Sequence, residues 1–294
     1  MFYRRKIIMA LLQTFEGNLE KISLQKLLFL FTSRQSKPEY DFVPFHYGCY
    51  SFSANADLTA MVKHGLVTEN TTSIANADKV NYTASLTSED KKILIEIYKN
   101  YSKLSATSLM RLTYLNYQYY AINSKKAKEI LSEEQYQRVL AAKPENSDTT
   151  LFTIGYEGVS LEAYLNKLIK NDVKVLVDVR NNPVSMKYGF SKNQLSKFCE
   201  SLNIEYLHIP ELGIQSEQRQ QLDTQSDYDR LFDVYKTKNL KSTTSYQKEL
   251  LNLLIEKKRI ALTCFEANIC QCHRKHLAEA ITQLPEFKFN FKHI

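Results

Sequence analysis

The pattern of apolar and polar positions divides the chain into two parts with different periods. In the first part apolar residues recur at helical spacing, for example over residues 4–16, which predicts mainly helices. From residue 151 onward, short apolar runs alternate with amphipathic stretches, as in chains where strands and helices alternate. The polar, proline-containing stretch 141–150 separates the two patterns. We therefore expect one domain over residues 1–145 and a second over residues 151–294.

The first part has the pattern of a winged-helix domain. A helix expected over residues 54–65 is followed by Leu66-Val67-Thr68, a polar stretch and then residues 80–87, which together predict a hairpin. Ser88 should begin the next helix. A helix beside a β-ribbon can lie along a nucleic-acid backbone, although the same pattern builds dimerisation modules. We expect a mainly helical domain that binds nucleic acid or a protein partner.

The second part predicts a mostly parallel sheet. Strands are expected at residues 151–154, 173–179, 204–209 and 259–264, and the alternating tail 287–294 should add an edge strand. Strands joined by helices usually run parallel with both faces of the sheet covered. The fold class is therefore α+β overall, with an N-terminal helical domain and a C-terminal α/β domain. Ligands of such sheets bind beyond the carboxyl ends of the strands.

A polar cluster follows each of these strands. The four clusters lie at residues 155–158, 178–185, 208–213 and 264–274. Since the carboxyl ends of parallel strands share one edge, we expect a single site there. The last cluster opens a helix, whose N-terminus favours an anion. The candidate ligand-binding residues are Gly155, Tyr156, Arg180, Ser185, Glu211, Glu266, His273 and Arg274.

Two kinds of chemistry remain open for this site. In the first, a nucleophilic thiolate at a helix N-terminus works with a general acid or base. The candidate catalytic residues are then Cys272, His208, Glu157 and Asp178. In the second, Cys272 is an N-cap or packed thiol, and Arg180 and Arg274 clamp a phosphate. A purely structural role, in which Asp178 and Arg180 pair within the edge of the sheet, is the third explanation.

The amino-acid composition limits the classes of protein to which this chain can belong. The chain has 294 residues, of which 44% are hydrophobic and 24% charged, as in globular proteins. The net charge of +7 permits nucleic-acid binding without requiring it. Five cysteines, an odd number, indicate reduced thiols and a cytoplasmic location rather than a disulfide framework. No run of eighteen apolar residues occurs, so we expect no membrane span and no membrane partner.

Metal and cofactor binding are not expected from the sequence. The stretch 264–276 holds three cysteines and two histidines, which are zinc ligands, but their spacing is not that of the usual zinc motifs. We therefore predict no metal and no cofactor.

Residues 151 to about 284 resemble the bacterial domain-of-unknown-function family 488. The matching stretches are 153–158 with Ser160-Leu161, 177–180 with Pro183 and Ser185, 189–191, 206–213, and 264–266 with 272–274. The resemblance implies a shared pocket and names no reaction. A looser likeness to rhodaneses and low-molecular-weight phosphatases, carried by residues 177–180 and 272–274, lacks their glycine-rich loop and serves only as a mechanistic analogy for Cys272.

The first 130 or so residues resemble the Panacea or SocA-like antitoxin domain family. The similarity lies in residues 22–30, 42–51, 57–67 and 112–124. The resemblance implies a module that binds protein or nucleic acid and carries no catalytic residue.

The function expected from these features is an intracellular prokaryotic enzyme, a hydrolase or transferase acting on a nucleotide, nucleic acid or other anionic ligand. The resemblance to antitoxin domains implies DNA maintenance or phage defence as its setting. The alternative is a non-enzymatic regulator or antitoxin that senses an anion and binds DNA or a toxin. A thiol redox protein is a third possibility, which needs an accessible Cys272 of low pKa.

Overall fold

The computed structural model describes residues 1–215, 218 and 222–294, and these form two compact units. The first unit comprises Met1–Lys143 and the second Pro144–Ile294. Within the described residues, helices that combine the length and the apolar character needed to cross a bilayer are absent.

Seven helices are described in the N-terminal unit, and two of them form the centre of its core. They are α1 (Tyr3–Thr14), α2 (Lys21–Thr32), α3 (Phe52–Lys63), α4 (Ser88–Tyr101), α5 (Ala106–Asn116), α6 (Ala127–Ile130) and α7 (Glu133–Ala141). The apolar run 7–12 of α1 is buried on every side, as is most of α2. Side-chain oxygens of Ser51, Thr87 and Ser105 cap α3, α4 and α5, which explains why these helices begin there.

Two small antiparallel sheets complete this unit. Their strands are β1 (Asn18–Glu20), β2 (Val43–Phe45), β3 (Gly48–Tyr50), β4 (Val67–Glu69) and β5 (Ser73–Asn76), in the orders β1-β5-β4 and β2-β3.

The predicted hairpin is right in its first strand and wrong in its second. Strand β5 lies in the polar stretch, and residues 80–87 contain the 3₁₀ turn Thr83–Ser85 instead of a strand. The Asn70 side-chain oxygen accepts hydrogen bonds from the backbone N–H groups of Thr72 and Ser73. These bonds close a tight turn, and the second strand therefore begins earlier in the chain than expected. Because only Ile74 of β5 is fully buried, the strand has no apolar signature. The winged-helix character remains a prediction.

A buried lysine is an unusual feature of the N-terminal unit. Lys26 lies on α2, is 1% exposed, and donates a hydrogen bond to the Cys49 carbonyl oxygen at 2.8 Å. It contributes to the wall of a cavity of about 410 Å³ within this unit. Burial lowers the pKa of Lys26, because the ammonium group loses its hydration.

This burial predicts a pH-dependent stability of the N-terminal unit. The folded-state pKa of Lys26 lies below the ordinary value of 10.5, so the unfolded chain binds more protons between those two values. The free energy of unfolding should therefore rise as the pH increases toward 10.5. The Lys26→Met variant should lose this rise, and Lys21→Met, at the more exposed start of α2, should keep it. Urea denaturation at a series of pH values measures both; equal slopes in all three proteins would contradict the prediction.

The C-terminal unit is built on a five-stranded parallel sheet. Its strands are β6 (Thr150–Gly155), β7 (Val175–Asp178), β8 (Glu205–His208), β9 (Arg259–Cys264) and β10 (Asn290–His293), in the order β10-β6-β9-β7-β8. All neighbouring pairs are parallel, which confirms the expected α/β sheet and its edge strand from the C-terminal tail.

Helices surround this sheet. They are α8 (Leu161–Lys170), α9 (Lys192–Ser201), α10 (Gln225–Val234), α11 (Leu240–Ser242), α12 (Thr244–Lys257) and α13 (His273–Thr282), with a π-helical segment at Tyr235–Asn239. Apolar residues of α12 and α13 pack with Leu262 of β9. On the opposite face, Tyr164 of α8 donates a hydrogen bond to the neighbouring Thr263 at 2.8 Å. Both faces are therefore covered.

The register brings the strand ends level. Asp178 at the end of β7 pairs with His208 of β8 and with Thr263 of β9, and Gly155 of β6 pairs with Cys264. The polar clusters that follow these strands consequently begin at one edge of the sheet, as the pattern of the sequence predicted.

Candidate functional site

A buried ion pair lies at the end of β7. Arg180 Nε donates to Asp178 Oδ1 at 2.8 Å, and Nη2 donates to Oδ2 at 2.5 Å. Asp178 is fully buried and Arg180 is 6% exposed. The bidentate contact with Asp178 keeps the pKa of Arg180 above its ordinary value, although burial opposes the shift. The Arg180 backbone N–H also donates a hydrogen bond to Asp178 Oδ1.

Two tyrosines complete the surroundings of this pair. Arg180 Nη1 donates to the Tyr156 hydroxyl at 2.6 Å, and the Tyr206 hydroxyl donates to Asp178 Oδ2 at 2.6 Å. Burial raises the pKa of both phenols, and the Asp178 carboxylate raises that of Tyr206 further. The Tyr156 ring stacks on Phe190, with centroids 4.2 Å apart. The guanidinium is thereby held in one orientation.

A cavity of about 320 Å³ opens beside the guanidinium. Its walls are formed by Tyr156, Arg180, Asn181, Asn182, Val184, Ser185, Met186, Ile214, Cys264 and Phe265. Of the predicted ligand-binding residues, the structure places Tyr156, Arg180 and Ser185 in this wall. The Ser185 hydroxyl accepts a hydrogen bond from the Lys187 backbone N–H, which holds the local turn of its loop.

Gly155 and Gly213 allow close backbone contacts around the site. A Cβ on Gly155 would overlap the Glu266 carbonyl oxygen and lie 3.0 Å from Arg274 Nη2. A Cβ on Gly213 would overlap the Asn181 backbone. Neither glycine has a positive φ, so the requirement at both positions is space and not backbone conformation.

Arg274 is buried against the loop that follows β9. Its Nη1 donates to the Glu266 carbonyl oxygen at 2.5 Å. Within the described residues, its Nε is a buried polar atom without a hydrogen-bond partner. Arg274 does not line the cavity beside Arg180, so the structure does not bring the two arginines into one wall.

Cys272 is a buried thiol at the N-cap position of α13. Its side chain makes no capping hydrogen bond, and burial together with neighbouring Cys264 raises its pKa well above the ordinary thiol value. A thiol of this kind is not a ready nucleophile. His273, also fully buried, places Nε2 3.0 Å from the Val179 carbonyl oxygen.

Three other predicted residues lie outside the cavity wall. His208 Nε2 lies 2.9 Å from the Arg180 carbonyl oxygen and Nδ1 lies 3.0 Å from Lys192 Nζ, in a separate open depression. The Glu157 carboxylate accepts a hydrogen bond from the Ala267 backbone N–H, which joins the loop after β6 to the loop after β9. Glu211 is exposed in the 3₁₀ turn Pro210–Leu212.

The cavity also contains residues that the sequence did not single out. Asn181, Asn182 and Phe265 belong to the polar clusters but were not assigned roles, and Cys264 was considered only as a thiol or metal ligand. Asparagines after a strand are common in turns, so their position alone carries no signal.

The family model described as "Domain of unknown function DUF488" matches residues 160–281. This match confirms the resemblance expected for the C-terminal unit and includes Arg180, Cys264 and Cys272. The resemblance expected for the N-terminal residues remains a prediction. A comparison with curated proteins finds no match.

Proposed function

We propose that the C-terminal unit is an enzyme that acts on a nucleotide, nucleic acid or other phosphate-bearing ligand bound in the cavity beside Arg180. The observation that carries this proposal is a buried guanidinium, held rigidly at the carboxyl end of a central strand, that lines an open cavity. The described contacts of Arg180, two with Asp178 and one with each tyrosine, occupy four of its five N–H groups and leave one for a ligand.

The composition of the cavity wall supports a ligand with a polar and an apolar part. Asn181, Asn182 and Ser185 supply polar groups near Arg180, whereas Met186 and Phe265 supply exposed apolar surface. Because Asp178 compensates the charge of Arg180, recognition depends on directed N–H donors at short range rather than on a long-range field. A nucleotide, with a phosphate and a flat base, has this combination.

The N-terminal unit is proposed to bind nucleic acid or a protein partner. Its predicted winged-helix character, its resemblance to antitoxin domains and its excess of basic residues support this role. In this proposal the protein acts in the cytoplasm, in DNA maintenance or phage defence.

A non-enzymatic regulator is the second candidate. The burial of Cys272 favours it, because the thiol proposed as a nucleophile is inaccessible to a ligand. The same cavity would then sense the ligand without converting it.

Calorimetric titration of the full chain with AMP and with adenosine tests the proposed ligand class. We expect AMP to bind at least about 10-fold more tightly, because only AMP offers a phosphate to Arg180. Asn182→Ala should weaken AMP binding, and Asn193→Ala, in the separate depression near His208, should not. Equal binding of both ligands, or equal effects of both variants, would refute the proposed anion site. Chromatography of a nucleotide incubated with the protein distinguishes the two candidate functions, because only an enzyme would convert the nucleotide.

A further inference from the structure

Two cysteines and a histidine meet at the end of β9, and one of them, Cys264, also belongs to the cavity wall. Cys264 ends β9, while Cys272 and His273 begin α13, and all three side chains are buried. Their ligand atoms lie within 4.8 Å of one another. We infer that Cys264, Cys272 and His273 form a binding site for Zn²⁺, which goes beyond the proposed ligand site and does not depend on it.

The dimensions of the cluster suit a small tetrahedral cation. With Zn–S bonds of about 2.3 Å and Zn–N bonds of about 2.0 Å, adjacent ligand atoms lie roughly 3.5–3.8 Å apart. Cys264 Sγ and His273 Nδ1 are 3.6 Å apart, which is already within this range. Only small movements of the remaining side-chain atoms are needed to close the site.

The orientation of His273 supports a ligand role. A carbonyl oxygen can only accept, so the 3.0 Å contact with Val179 places the hydrogen on Nε2. In the neutral ring, Nδ1 is then the nitrogen with a lone pair, and it faces Cys264. Metal-bound histidines characteristically donate their other N–H to a carbonyl or carboxylate, which fixes the tautomer in the same way.

The charge balance also favours a cation. A buried thiolate is costly unless a positive charge compensates it, and Zn²⁺ balances two thiolates. Binding displaces the two thiol protons to solvent and leaves two Zn–S bonds. The Glu266 carboxylate, whose Oε2 is 3.1 Å from Cys264 Sγ, is close enough to provide a fourth ligand; water is the other candidate.

Metal analysis of the full chain, purified under reducing conditions, tests the site directly. We expect about one Zn²⁺ per chain, and we expect the metal-free reduced protein to bind Co²⁺ with thiolate charge-transfer and tetrahedral ligand-field absorption. Cys264→Ser and Cys272→Ser should each weaken Co²⁺ binding by about 100-fold or more. Cys270→Ser is the matched control, because Cys270 lies in the same loop but is exposed and outside the cluster.

Three results would overturn the assignment. These are a reduced wild-type chain that gives no Co²⁺–thiolate absorption, a Cys270→Ser variant as impaired as the other two, or a Cys264–Cys272 disulfide in the protein as isolated. The wild-type titration decides the matter even if a serine variant fails to fold. AMP binding has its own test, so the two proposals can fail separately.

Discussion

Replacing Arg180 with alanine is expected to lower the free energy of unfolding of the C-terminal unit by about 3–5 kcal/mol. The reason is the fully buried Asp178 carboxylate, which would lose a bidentate partner and keep, of its described contacts, the Tyr206 hydroxyl and a backbone N–H. Tyr156 would lose the hydrogen bond from Arg180 as well. Hydrogen exchange at the amides of β7, measured in the full chain, assigns the loss to this unit.

Two further variants distinguish the effect of losing the buried ion pair from the effect of losing a positive charge in general. Arg230→Ala removes an arginine that pairs with Asp227 but is 75% exposed, and it should cost less than about 1 kcal/mol. Arg180→Lys keeps the charge but cannot bond both Asp178 oxygens and Tyr156 together, so it should recover only part of the stability. A small effect of Arg180→Ala, comparable to that of Arg230→Ala, would show that the pair does not hold this edge of the sheet.

Gly155→Ala is expected to lower the free energy of unfolding by about 2–3 kcal/mol and to disturb the cavity. The new methyl group would overlap the Glu266 carbonyl oxygen, and the segment after β9 would have to move. In that segment, the Phe265 carbonyl oxygen accepts hydrogen bonds from the backbone N–H groups of Tyr156 and Glu157. Its movement should therefore weaken AMP binding in the calorimetric assay as well.

Gly158→Ala is the matched control for this substitution. Gly158 has a φ of +74° and open space around its Cα, so alanine there meets backbone strain but no neighbour. Its cost should stay near 1 kcal/mol, with AMP binding intact. If Gly158→Ala lowers the free energy of unfolding more than Gly155→Ala does, the close contact at Gly155 is not what prevents a larger residue there.

The ion pair illustrates how much of the candidate site could be predicted from the local sequence. Asp178 and Arg180 follow an apolar strand, and their spacing allowed a structural pairing as well as a ligand-binding role. The structure contains the pairing and also places Arg180 in a cavity wall. The structural pairing does not exclude the proposed ligand-binding role, because a guanidinium paired with one carboxylate still has an N–H group left for a ligand.

The proposed zinc ligands illustrate the opposite case. The spacing of Cys264, Cys272 and His273 matches no usual metal motif, so the sequence predicted no metal. A loop returns from the end of β9 to the start of α13 and brings the three side chains within 4.8 Å. Ligand spacing is diagnostic only where a local turn sets the distance, and here two separate elements set it.

The sequence by itself determined the parallel C-terminal sheet and the edge at which its polar loops meet, because buried strands and amphipathic helices leave strong periodic patterns. It did not determine strand β5, whose turn and pairing depend on Asn70 and on neighbouring strands rather than on an apolar pattern. Tertiary structure alone decided that Arg180 faces the cavity, while Arg274 and Cys272 are packed away from it. The direction of a side chain depends on the elements packed around it, and this information is not local in the chain.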